Sequence, residues 1–151
     1  MISTCSTRNN NVAILISPGF AESDVVYCLS QMRGAGLPVS IIGVSKKSIS
    51  SQHGLMVYPD YALHEMEIDE RFQLLIIPGS YECVTNLLTS PDFHDQINEY
   101  RNHDGLVIIL KEAQAALEQA NLFQTNDRIL RQADQPLERF CQQLIKLVKT
   151  A

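Results

Sequence analysis

Leu106-Val107-Ile108-Ile109-Leu110-Lys111-Glu112-Ala113-Gln114-Ala115-Ala116-Leu117 passes without a break from a continuously apolar run into a helix-like stretch, with a lysine at the junction. A half-exposed strand would alternate apolar and polar residues, so the unbroken run reads as a strand buried on both faces. A strand that turns directly into a helix is the repeating unit of a parallel α/β sheet. In such sheets the ligand crevice lies outside the carboxyl ends of the strands, which places Lys111 and Glu112 at the site if the fold has one.

The same arrangement recurs along the chain. Val12-Ala13-Ile14-Leu15-Ile16 stops at Ser17-Pro18-Gly19, and Leu74-Leu75-Ile76-Ile77 stops at Pro78-Gly79. After the first strand Val25, Cys28, Leu29 and Met32 recur at helical spacing, and Gly34 and Gly36 mark the end of that helix. Val39-Ser40-Ile41-Ile42-Gly43-Val44 is a second strand, and a polar stretch from Ser45 to Gly54 leads to a weaker strand at Leu55-Met56-Val57-Tyr58. Short helices are expected over 82–88 and 91–102, where Pro91 suits a first turn, and a further helix over 112–121. A short strand at Ile129-Leu130 and a closing helix over 136–149, with Leu137, Phe140, Cys141, Leu144, Ile145 and Val148 on one face, complete the chain. The reading is an α/β fold: a doubly wound, flavodoxin-like parallel sheet with helices on both faces, a single domain over 12–151 behind a flexible N-terminal tail over 1–11.

Composition sets the function classes. The chain has 151 residues, enough for one domain, with 45% hydrophobic and 19% charged residues. No apolar run approaches a membrane span, and the polar N-terminal stretch lacks the apolar core of a secretory signal, so a cytoplasmic protein is expected. A net charge of −5 gives no footprint for a nucleic-acid backbone. Cys5, Cys28, Cys83 and Cys141 are widely spaced with no CxxC pair, which argues against a disulfide framework, and against a zinc site or other metal. Cys28 and Cys141 fall on apolar helical faces and read as core. No cofactor is implied.

The order of these segments resembles the ThiJ/PfpI (DJ-one) superfamily of the class I glutamine-amidotransferase-like fold. The likeness rests on Gly19-Phe20-Ala21-Glu22-Ser23-Asp24, Gly34-Ala35-Gly36, Leu55-Met56-Val57-Tyr58-Pro59-Asp60, Leu74-Leu75-Ile76-Ile77-Pro78-Gly79 and the turn at Lys111. It implies a nucleophilic cysteine at the turn that Lys111 occupies, an acid from the first helix beside it, and a histidine further along. Here lysine replaces the cysteine, Asp24 matches the acid with Glu22 as a second one nearby, and Gly79-Ser80 stands where the family has Gly-Gly. His53, His64, His94 and His103 all precede the turn, and Leu122-Phe123 is followed almost at once by Asp127-Arg128-Ile129-Leu130, as in a shortened member. Relatives are commonly homodimers, so an oligomer is expected.

Lys111 has two readings. As a nucleophilic amine with Asp24 as its acid partner it would act on small carbonyl compounds. As a structural group it would form an ion pair with Asp24 or Glu22 and fix the turn, the favoured alternative. Cys83 has two as well, a reactive redox thiol near a helix N-terminus or a small packed residue, of which packing is the commoner. The leading expectation is a catalytically silent domain that binds a partner protein or a small anionic metabolite through Glu22, Asp24, Gly79, Ser80, Lys111 and Glu112. An enzyme of altered chemistry and a cysteine redox sensor are the alternatives.

Overall fold

Every side chain from Val12 to Ile16 is fully buried, and the strand they form, β1 (Asn11–Ile16), lies between two parallel neighbours. The computed structural model describes residues 11–69, 71–123 and 127–150. In chain order it contains β1, α1 (Glu22–Gly34), β2 (Val39–Gly43), β3 (Ile49–Ser50), β4 (Met56–Val57), β5 (Tyr61–Ala62), β6 (Phe72–Ile77), α2 (Tyr81–Leu88), α3 (Pro91–Tyr100), β7 (Leu106–Ile109), α4 (Lys111–Ala120), β8 (Ile129–Arg131) and α5 (Leu137–Thr150).

The six-stranded sheet runs β5-β2-β1-β6-β7-β8, and all of its pairings are parallel. Ile14 stands opposite Ile41 on one side and Ile76 on the other. The chain therefore moves outward from β1 in one direction through α1 and in the other through α2, α3 and α4. Right-handed crossovers in opposite directions put these helices on opposite faces of the sheet. α1 and α5 pack together, and α2 packs on α3 and α4, so the expected doubly wound α/β architecture is the one observed.

Local chemistry sets the helix ends. Ser80 and Ser90 cap α2 and α3 by accepting the N–H groups of Cys83 and Phe93, and Pro91 occupies the first turn of α3. Asn121 ends α4 in the left-handed conformation at φ 52°. Among the described residues no helix is long and apolar enough to cross a membrane.

Two sequence expectations are corrected. β1 begins at Asn11, so the tail expected over 1–11 loses its last residue to the sheet; residues 1–10, Cys5 among them, lie outside the described residues. The run Leu55-Met56-Val57-Tyr58 does not enter the parallel sheet. Its centre forms β4, which pairs antiparallel with β3 in a separate hairpin, because Leu55, Met56 and Tyr58 face outward and have no second layer to cover them. The sheet edge is taken instead by β5, two residues long and too short to carry a period. Its approach is held where the Asp60 carboxylate accepts the Ile41 N–H at 2.8 Å.

One buried hydroxyl ties α3 to the entrance of β6: Tyr100 Oη donates to the Phe72 carbonyl at 2.8 Å, and burial pushes the Tyr100 phenol up. Removing it leaves a buried carbonyl without that donor. Tyr100→Phe is expected to lose about 1–2 kcal/mol of stability in urea unfolding, and an unchanged midpoint would show that the bond contributes nothing.

Candidate functional site at the carboxyl ends of the strands

The chain leaves β1 and β6, adjacent strands, toward opposite faces, so the loops after them diverge and open a crevice. Two hydrogen bonds join those loops at its floor. Ser80 Oγ donates to the Gly19 carbonyl at 2.7 Å, and the Ala21 N–H donates to the Gly79 carbonyl at 3.0 Å. Ser17, fully buried, donates from Oγ to the Cys83 carbonyl at 2.5 Å and lies 3.2 Å from Cys83 Sγ.

Glycine is required at two of these positions. Gly19 has φ +87°, and a Cβ there would lie 2.5 Å from the Glu82 carboxyl carbon, which folds over it. A Cβ at Gly79 would lie 2.2 Å from Glu112 Cβ, so close approach of α4, not a positive φ, demands that glycine. Ser80, at the second position of the expected glycine pair, has an extended backbone with φ −104°. The conformation is open to any residue, and the hydroxyl is used as a cap.

The acids are arranged differently from expectation. Half-burial, and then the like charge of Glu112, hold the Asp24 carboxyl above the usual range. Glu22 is clamped by the β3–β4 hairpin: His53 Nδ1 lies 2.6 Å from Oε2, and the His53 N–H donates to Oε1 at 3.2 Å. Burial opposes the Glu22 charge, but these bonds, together with those from its own backbone and Ser51, hold its carboxyl below the usual range.

Lys111 is the first residue of α4. Its backbone N–H donates to Gln132 Oε1 at 2.8 Å, and Gln132 is buried and fixed by its own bonds, from its N–H to Ile109 and from Nε2 to Gln135. The lysine side chain is exposed and lines a shallow cavity of about 370 Å³ with Gln114, Ala115, Glu118, Ala133 and Asp134. Among the described residues its amine forms no ion pair. The ion pair expected with Asp24 or Glu22 is therefore not formed: His53 has taken Glu22, Asp24 has Glu112 beside it, and Lys111 borders the cavity between α4 and the turn after β8.

The expected single pocket is thus two surfaces. Glu22, Asp24, Gly79, Ser80 and Glu112 lie at the carboxyl ends of β1, β6 and β7, while Lys111 borders the cavity between α4 and the turn after β8. Cys83 is fully buried, and burial pushes its thiol up, with the Glu82 charge adding to this and the Ser17 hydrogen bonds opposing it. That is a packed thiol, not an accessible one. His53, Ser17 and Gln132 join the candidate site through hydrogen bonds that sequence reasoning missed. His53 lies 31 residues from Glu22, and no local spacing links the two. Among the described residues no group of three or more His, Cys, Asp or Glu is placed to hold a metal.

A crevice at the switch point of a parallel sheet, with acids of the first turns of α1 and α4 at its rim, defines a flavodoxin-like α/β domain. The model of the DJ-1/PfpI family matches residues 10–127, and the chain belongs to that family. It is 23% identical over 105 residues to the Parkinson disease protein 7 homolog of Danio rerio, covering 69% of this chain and 56% of that protein. It is 32% identical over 68 residues to a deglycase of Thermococcus kodakarensis, covering 45% of this chain and 40% of that protein. The chain thus spans about half the length of these curated relatives. A solved DJ-1 superfamily protein of Salmonella typhimurium superposes with a TM-score of 0.76 at 17% identity, over 93% of this chain and 91% of that one. Drosophila melanogaster DJ-1beta superposes with a TM-score of 0.74 at 12% identity, over 94% and 90%. These likenesses establish the fold.

The Asp24–Glu112 proximity has a pH consequence. A carboxyl held above its unfolded value costs stability once the unfolded chain ionises, so the penalty is absent below the unfolded value, grows as pH rises from there to the folded value, and is constant above it. Glu112→Gln is expected to move the Asp24 titration to lower pH, read by carboxyl carbon NMR. A titration that stays in place would show that the two charges do not interact.

Proposed function

We propose that this chain is a DJ-1/PfpI-family domain without thiol catalysis, which acts in the cytoplasm by binding, in a regulatory or stress-related role and as a homodimer. The observation that carries the reading is Lys111 at the first residue of α4, the turn where the family resemblance implies a nucleophilic cysteine. An exposed amine lacks the desolvation that favours a nucleophilic lysine. Cys83, nearest in the crevice, is buried and bonded to Ser17.

A partner protein suits the site better than a small anionic metabolite. Asp24, Glu112 and Glu22 place like charge around the crevice, and Gln132 already accepts the Lys111 N–H that an anion at the α4 N-terminus would use. Apolar surface for association lies elsewhere: Leu55, Met56, Tyr58 and Tyr61 are all exposed, Tyr58 to 77%. Carbonyl chemistry through Lys111 and Asp24 is the second reading, favoured by the relative named a deglycase.

The test is turnover by the purified protein across a panel of small oxoaldehydes and glycated amines, with borohydride added to trap any imine. The expected result is no turnover above buffer, no trapped mass at Lys111, and an identical profile for Lys111→Ala. Turnover lost in Lys111→Ala would replace binding by catalysis. Light scattering is expected to give a dimer that Tyr58→Lys converts to monomer; a monomeric native protein would remove the dimer from the proposal.

A further inference from the structure

Two sulfurs face each other where α5 packs on α1. Cys28 Sγ lies 3.5 Å from Cys141 Sγ across 113 residues of sequence, and both residues are buried, 0% and 1% exposed. A disulfide bond of about 2.05 Å would require the sulfurs to close by less than the width of an atom. We propose that Cys28 and Cys141 are a redox pair that forms a reversible intramolecular disulfide and locks α5 onto α1 behind the acid wall of the crevice.

The surroundings give the pair its order of reaction. The hydrogen bond between the two sulfurs, and burial, push the Cys28 thiol up, while the same bond draws Cys141 down. The charge of Asp24, one helical turn before Cys28, disfavours ionisation of both sulfurs, and Tyr27 stands beside them with Glu138 next to it. Cys141, close to the start of α5 where Cys28 is mid-helix in α1, is the sulfur that attacks first. It belongs to the second turn of α5 (Leu137–Thr150), so local opening of that helix end would expose it without unfolding the sheet.

The oxidant is a small-molecule disulfide. The Cys141 thiolate attacks one of its sulfurs, breaks its S–S bond and releases one small thiolate, leaving a mixed disulfide on Cys141. Cys28 then gives its proton to solvent and attacks Cys141 Sγ, and the second small thiolate leaves. Two protein thiols lose two electrons and two protons, and one small disulfide becomes two thiols. Excess thiol reverses both steps. Because Asp24 belongs to the same face of α1 as Cys28, the bond also fixes the helix that carries the crevice acids.

The experiment equilibrates the native protein in oxidised and reduced glutathione, then reads an unreduced digest by mass spectrometry and the melting temperature. Expected are a linked Cys28–Cys141 peptide and a melting temperature raised by roughly 5–15 °C, both reversed by dithiothreitol and absent in Cys141→Ser. Cys28→Ser is expected to retain a glutathione adduct on Cys141. Free thiols at both positions, glutathione adducts alone in the native protein, or a linkage formed only in denaturant would each overturn the proposal.

Discussion

The burial of β1 on both faces is the constraint from which the rest of the structure follows. A strand in that position satisfies its backbone groups through its two neighbours, and the parallel pairing of β1 with β2 and β6 does so. Each fully buried Val, Leu or Ile along it contributes about 1.5–3 kcal/mol, which holds the three central strands together. Since β2 lies to one side and β6 to the other, the helices that follow β1 and β6 must leave to opposite faces. The crevice is the gap that this divergence opens, and its floor is closed by bonds between the two turns, Ser80 to Gly19 and Ala21 to Gly79.

Electrostatics then decides what the crevice can hold. α1 brings Glu22 and Asp24 to its rim, and α4 brings Glu112 against Gly79, so three carboxylates share one end of the sheet. The protein relieves this in two ways. Glu22 is held by His53 from the β3–β4 hairpin, and Asp24 is shifted toward its protonated form by burial and by Glu112. Lys111, next to Glu112 in sequence, forms no ion pair with them among the described residues, and its side chain borders the cavity between α4 and the turn after β8. The outcome is an acid-rimmed cleft beside an exposed amine.

α1 links this site to the other side of the molecule. Its first turn carries Glu22 and Asp24, and its buried face carries Val25, Cys28 and Met32, against which α5 lays Phe140, Cys141, Leu144 and Val148. The α1–α5 contact thus lies one helical turn from Asp24. The position of the crevice acids depends on a helix contact that only the folded chain creates.

Residue by residue, the sheet was legible where the chain is continuously apolar. Val12 to Ile16, Leu74 to Ile77 and Leu106 to Ile109 announce buried parallel strands because a strand covered on both faces needs no polar alternation, and Ser-Pro-Gly or Pro-Gly marks where each of the first two stops. β3 and β5, two residues each, were not legible, since a period cannot be read from two positions. The sequence by itself determined the fold class, the turn at Lys111 and the acids of α1, because these depend on local pattern and order. Tertiary structure alone decided that His53 holds Glu22, that Glu112 stands against Gly79 beside Asp24, that Gln132 seals the start of α4, and that Cys28 meets Cys141. Those pairings join residues dozens of positions apart, and the energy of bringing them together resides in the packing of whole elements, which no local spacing records.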